Sequence, residues 1–205
     1  MRLILKTFIT ILVLQFATVA TANVAGDPVA MLKKITGNVL ASMKKHQAQL
    51  KAKPEILFTI VDQDIVPCVD TAEMARWIAG RNAWNNASGS NKKRFIKVFK
   101  VLLVNTYAKA LHSYADKKTN FLPLRGTWKN KKRISVASKV INNVGQAIRI
   151  DYRLIKHGDR WKIYDVVVEG VSLLKGYQSQ FSDTIKKQGL GAVIDIIKSH
   201  NKTVK

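Results

Sequence analysis

Cysteine is almost absent from this chain of 205 residues. Cys68 is the single one, so no disulfide closes within the chain. In Val66-Pro67-Cys68-Val69-Asp70 it reads as a small buried apolar residue, with an intermolecular disulfide as the alternative. Histidine is scarce too. His46, His112, His157 and His200 stand in no metal-ligating spacing, and none lies near Cys68, so no zinc constellation is visible. The chain has no GxSxG, no Walker A loop and no GxGxxG. Asp62, Asp64 and Asp70 lie close together but lack the glycine and closing glutamate of a calcium loop. They read as helix positions and a cap. Glu55 and Glu73 pair with nothing obvious. Catalysis then needs a triad assembled from distant residues. The chain is read as not an enzyme, with no cofactor and no metal.

Acidic residues are also few: 13 Asp and Glu against 35 Lys and Arg, a net charge of +22. Such a field favours anionic partners. The basic residues are spread as doublets and triplets, such as Lys92-Lys93-Arg94 and Lys131-Lys132-Arg133. The plain alternative is a solvated surface. Long apolar runs are missing except at the N-terminus. There Arg2 and Lys6 precede the run Phe8 to Ala20, and Ala20-Thr21-Ala22 forms an A-x-A cleavage site. That is the pattern of a secretory signal peptide, shorter than a membrane span. The expectation is a signal peptide over 1–22 and a single exported domain over 23–205. Export argues against nucleic acid and for a membrane or lipid headgroup.

The composition is globular, with 47% hydrophobic residues. Asp27-Pro28 opens a helix carrying Leu32, Ile35, Val39, Met43 and Leu50. Pro54 starts a shorter one with Leu57, Ile60, Val61 and Ile65, which stops at Pro67. Asp70-Thr71-Ala72-Glu73 is a capping-box pattern before a helix that ends at Gly80. After a polar stretch over 82–91 comes the strongest helix, with Phe95, Val98, Phe99, Leu102, Leu103, Thr106, Tyr107 and Ala110 in a wide apolar stripe. Three alternating segments follow: Ile134 to Val140, Ile148 to Leu154, and Trp161 to Val168. Turn signals at 142–145 and His157-Gly158-Asp159 join them into an antiparallel meander. A helix with Leu173, Leu174, Tyr177, Phe181 and Ile185 then runs to Gly189, and a short one holds Val193, Ile194 and Ile197. Helices, then a small mainly antiparallel sheet, then helices means α+β. No internal repeat or low-complexity segment is present.

An apolar surplus remains. Alternation places Ile148, Ile150, Tyr152 and Leu154 on one face of the second strand, and Tyr164, Val166 and Val168 on one face of the third. Any of these is ordinary core or the lining of a cavity. Between strand and helix stands Glu169-Gly170-Val171-Ser172, where Ser172 is not framed as a nucleophile. Gly170 allows a sharp turn, Val171 is expected to pack at the pocket, and Ser172 to cap the next helix.

In two stretches the sequence resembles the periplasmic phospholipid-binding, toluene-tolerance family (MlaC-like). One runs through Trp161, Tyr164-Asp165, Glu169-Gly170-Val171-Ser172, Tyr177 and Gln180-Phe181. The other runs through Ile65, Pro67, Asp70, Met74-Ala75, Trp84, Ala87-Ser88, Phe95, Phe99, Leu102-Leu103, Thr106-Tyr107-Ala108, Leu111 and Tyr114. It departs at Gln178, where arginine is common in the family, and at Ile78-Ala79-Gly80, where a Leu-Gly is common. The resemblance implies an α+β fold with a mixed sheet and a deep apolar pocket between sheet and helices. It implies a non-catalytic periplasmic carrier that moves phospholipid between outer and inner membranes and maintains outer-membrane lipid asymmetry. The diacyl chains would lie in the pocket. The partners it implies are an outer-membrane lipoprotein–porin complex and an inner-membrane ABC transporter with an MCE-domain ring, with a monomeric carrier between them. The residues expected to line the pocket are Phe99, Leu103, Tyr107, Ile150, Tyr152, Val166, Val168, Val171 and Leu174. The alternative, from another class, is a basic exported adaptor that binds an acidic protein or polyanion with a filled core.

Overall fold

A computed structural model describes residues 26–50, 52–113, 117–141 and 145–203. The expected signal peptide and the turn signal at Asn142-Asn143-Val144 lie outside them.

Helix α1 (Pro28–Lys45) starts where the sequence places it, with the Asp27 carboxylate accepting from Val29 and Ala30 N–H. A single turn, α2 (Gln47–Leu50), follows. Helix α3 (Ile56–Ile60) does not stop at Pro67 in one geometry. It widens into a π-helical stretch over Val61–Ile65 and tightens into a 3₁₀ turn over Val66–Cys68. Asp70 caps α4 (Thr71–Ala79) by accepting from Glu73 N–H. The reciprocal half of the capping box is missing, because the Glu73 carboxylate goes to Arg76, Trp77 and Arg133 instead. Gly80, at φ 77°, ends α4. The polar stretch beyond it is not a loop: it carries α5 (Arg81–Asn86). Then come α6 (Gly89–Ser113) and, after the sheet, α7 (Leu173–Thr203). Gly189, at φ 79° and ψ 178°, breaks α7 into two helical arms, as its position in the sequence suggests.

The sheet has five strands rather than three. β1 (Thr119–Phe121) and β5 (Val171–Ser172) flank β2 (Arg133–Ile141), β3 (Ala147–His157) and β4 (Arg160–Val168). They pair in chain order, each antiparallel to the next. The mixed sheet implied by the resemblance is corrected: among the described residues the parallel pairing is one bridge, Val69 to Ile163.

A bulge in β4 decides which side chains face which layer. Leu154 pairs with Ile163, and Arg153 pairs with Asp165, so Tyr164 is the extra residue. Trp161 and Ile163 face one layer before it, and Val166 faces the same layer after it. Tyr164 faces the opposite layer. The sequence expectation that Tyr164, Val166 and Val168 share a face is therefore wrong for Tyr164.

Two apolar cores result. The first joins α4, α6, α7 and the back of the sheet, through Ile78, Phe95, Phe99, Leu102, Phe181, Ile194 and Ile155. The second joins α1, α3 and the front of the sheet, through Leu32, Ile35, Leu57, Ile60, Val136, Leu154 and Trp161.

A graded apolar face as the candidate lipid site

The registers place one row of side chains across all five strands. Phe121 is opposite Ser138, Ser138 opposite Ile150, Ile150 opposite Val168, and Val168 opposite Val171. Directly opposed residues share a face. The neighbouring row is Val136, Tyr152 and Val166, and the next is Ile134, Leu154 and Ile163. On β3 and β4 burial falls across these rows, while on β2 Val136, Ser138 and Val140 all stay buried. Leu154 is sealed under the front core. Tyr152 and Val166 are half-buried against it. Ile150 and Val168 are half-buried and packed into neither core among the described residues. Val171 is 68% exposed. Along β3, β4 and β5 the front of the sheet thus runs from dry core to open apolar surface.

Five of the expected lining residues lie on this gradient: Ile150, Tyr152, Val166, Val168 and Val171. Val171 ends the row as an exposed residue. The cause is its strand: β5 is two residues long and is the sheet's edge. Phe99, Leu103 and Leu174 are not brought to this face. Phe99 and Leu174 are buried in the back core and Leu103 packs against it. Phe99 meets Phe95 and Tyr177 in ring contacts. Tyr107, half-buried on α6, meets Tyr177. Burial, with Tyr177 beside it, pushes the Tyr107 phenol up to about 12. On the gradient, burial also raises the Tyr152 phenol, against a hydrogen bond with Ser138 that lowers it. Both phenols stay neutral at ordinary pH, as an apolar lining needs.

Val104, which the apolar stripe of α6 did not single out, is buried in the front core. Its signal was present as one apolar residue too many for a one-sided helix. Val140 and Ile148 extend the same sheet face beyond Ile150.

The turn over 169–172 holds the edge of this face in place. Glu169, at φ 49°, and Gly170, at φ 82°, make the sharp reversal between β4 and β5. The Glu169 carboxylate accepts from Arg149 N–H, which ties the turn to β3. Ser172 caps α7, accepting from Lys175 N–H at 3.1 Å. Its hydroxyl donates to Asp165 at 2.7 Å. Asp165, 1% exposed, also accepts from Leu174 N–H and from Arg153. The serine's hydroxyl is committed on both sides, to Asp165 and to the Lys175 N–H. Burial raises the Cys68 thiol above its ordinary value, which suits a packing residue and not a nucleophile. Among the described residues, no cluster of three metal-ligating side chains is present.

The fold, helices packed on both sides of an antiparallel sheet, is α+β. Residues 33–199 match the family model described as MlaC protein, and the chain belongs to that family. A solved phospholipid-binding protein from Ralstonia solanacearum, in complex with a phospholipid, is 31% identical. It superposes with a TM-score of 0.80, covering 87% of this chain and 98% of that one. The toluene tolerance protein Ttg2D of Pseudomonas putida is 26% identical over 186 residues, 91% of this chain and 85% of the relative. The intermembrane phospholipid transport system binding protein MlaC of Haemophilus influenzae is 25% identical over 191 residues, 92% of this chain and 88% of the relative.

Proposed function

We propose that this protein is a periplasmic carrier that binds phospholipid and ferries it between membranes. The acyl chains lie along the row Ile150, Val168 and Val171, with Tyr152 and Val166 at the inner end and the headgroup left near water. The observation that carries this reading is the burial gradient on the front of the sheet. An apolar row that leaves the core and reaches solvent is poor packing but a good cradle for a hydrocarbon chain. The phospholipid in the Ralstonia relative supports the same ligand class.

The energetics suit a carrier. An acyl chain in water costs about 0.8 kcal/mol per CH₂. A diacyl lipid with roughly 30 methylenes would face on the order of 20 kcal/mol, which forbids free crossing of an aqueous space. An apolar cradle removes most of that cost. Donor and acceptor membranes offer a similar environment, so the lipid still leaves.

In this reading residues 1–22 are a signal peptide and residues 23–205 one lipid-binding domain. The partners are an outer-membrane lipoprotein–porin complex and an inner-membrane ABC transporter with an MCE-domain ring, and the outcome is outer-membrane lipid asymmetry. Ser172 caps a helix, and no reaction is assigned to it. Native mass spectrometry of protein purified without detergent, followed by solvent extraction, tests the reading. One or more intact phospholipids per chain is the expected result. A protein that is empty, and stays empty after incubation with liposomes, overturns it.

A further inference from the structure

A second concave site lies at the outer edge of β2, apart from the apolar row. It is a cavity of about 390 Å³ between the 122–131 segment and the strand, lined by Arg125, Trp128, Lys131, Arg133, Arg153 and Tyr164 among others. Four of its lining side chains are cationic and none is acidic. Two of the cations are already balanced. Arg133 meets Glu73 at 2.6 Å and Arg153 meets Asp165 at 3.0 Å. Arg125 and Lys131 make no side-chain hydrogen bond or ion pair among the described residues.

The backbone of this slot is open as well. β1 leaves β2 at Phe121 opposite Ser138, and the last bond across is Leu122 N–H to Ala137 C=O at 2.8 Å. Alternation then turns the N–H and C=O of Ser135 and Arg133 outward on the same side. No backbone partner takes them there among the described residues. An unpaired strand edge flanked by uncompensated cations fits one class of occupant better than others. A small anion leaves the edge unused, and a flat bilayer does not enter a slot.

We propose that this slot receives an extended acidic segment of a partner protein. The segment adds as a strand to the β2 edge, with its carboxylates against Arg125 and Lys131 and its backbone on Ser135 and Arg133. The site is separate from the lipid row and does not depend on it.

Fluorescence anisotropy with a labelled peptide of alternating Asp and Val tests this at one fixed ionic strength. A second peptide of the same sequence carries N-methyl groups on alternate residues, in both possible phases. It keeps the charge and removes the edge bonds. The expected result is saturable binding that weakens about tenfold in the variant Arg125→Glu with Lys131→Glu, and by a similar factor for one N-methyl phase. Bound lipid in that variant stays at the wild-type level, which separates this site from the carrier reading. The wild-type comparison of the parent peptide with its two N-methyl phases decides the matter even if the variant misfolds. No saturable binding overturns the proposal, as does equal binding of both N-methyl phases and the parent peptide. Displacement by inorganic phosphate at the same concentration as by free peptide marks a small-anion site and overturns it. Phosphatidylglycerol vesicles that displace the peptide from the wild type and no longer bind the Arg125→Glu, Lys131→Glu variant mark a membrane patch and overturn it too.

Discussion

The two apolar regions of this molecule are finished differently. Behind the sheet, Phe95, Phe99, Phe181, Val193 and Ile194 are buried together between α4, α6 and α7. In front, although Ser138 and Val140 stay buried farther along β2, the core under α1 and α3 ends at Leu154 and Val136. Beyond that the same kind of residue is left half-covered, from Tyr152 to Ile150 and Val168, and then open at Val171. Valine and isoleucine serve as filler in one region and as a lining in the other. The difference is made by what lies over them, and not by the residues themselves.

That contrast can be broken most severely in the back core. Phe99→Ala removes a ring that stacks on Phe95 and meets Tyr177 edge-on. It is expected to cost about 3–5 kcal/mol in urea unfolding, with the cavity unable to collapse among fixed helices. A cost near 1 kcal/mol would mean that this region is not closed.

Asp165→Ala attacks the joint between the two regions. It strips the Ser172 hydroxyl, the Leu174 N–H and Arg153 of their shared acceptor. A loss of about 3 kcal/mol is expected, discounted from a fully buried pair because Arg153 is 46% exposed. Ser172→Ala should lose only about 1 kcal/mol, as a helix cap does, with unchanged lipid content. Loss of a hydrolytic activity in that variant would show the hydroxyl to be a reacting group.

Glu73 sharpens the comparison by pH. Burial raises its pKa, but hydrogen bonds from Arg76 and Arg133 outweigh that and hold it below the ordinary 4.5. A lowered carboxylate pKa means a contribution that is complete above 4.5 and fades as pH falls through the lower folded value. Glu73→Gln should therefore destabilise the protein by about 1 kcal/mol at neutral pH and by progressively less below pH 4.5. A pH-independent difference in unfolding midpoint would contradict this. The smallest effect is expected on the graded face. Ile150→Ala should cost about 1 kcal/mol or less, well under the cost at Phe99. Equal costs would make the row ordinary core.

Much of this was legible in the sequence, and the gaps have physical causes. The caps at Asp27 and Asp70, the meander from Arg133 to Val168, and the break at Gly189 follow from local chemistry. β1 and β5 were missed because three and two residues are too few for an alternation to register. The bulge at Tyr164 was hidden because Tyr164, Val166, Val167 and Val168 are all apolar and the polar residue among them, Asp165, is itself buried, so polarity does not mark the change of phase from Ile163 to Val166. α6 misled for a related reason. Its apolar residues serve both cores, Phe99 and Leu102 behind and Val104 in front, and a stripe read from spacing does not say which face of the sheet it meets. Phe99, Leu103 and Leu174 were expected beside the lining residues of the sheet on that account.

The most direct test of the central claim compares two exposed apolar residues on different surfaces. Val171 ends the graded row, and Ile196, 50% exposed, lies on the second arm of α7. Lipid content is measured by native mass spectrometry for Val171→Glu and Ile196→Glu, both purified without detergent and both with wild-type thermal unfolding. The account predicts that Val171→Glu loses its phospholipid and Ile196→Glu keeps it. A full lipid load in Val171→Glu, or equal loss in both, would contradict it.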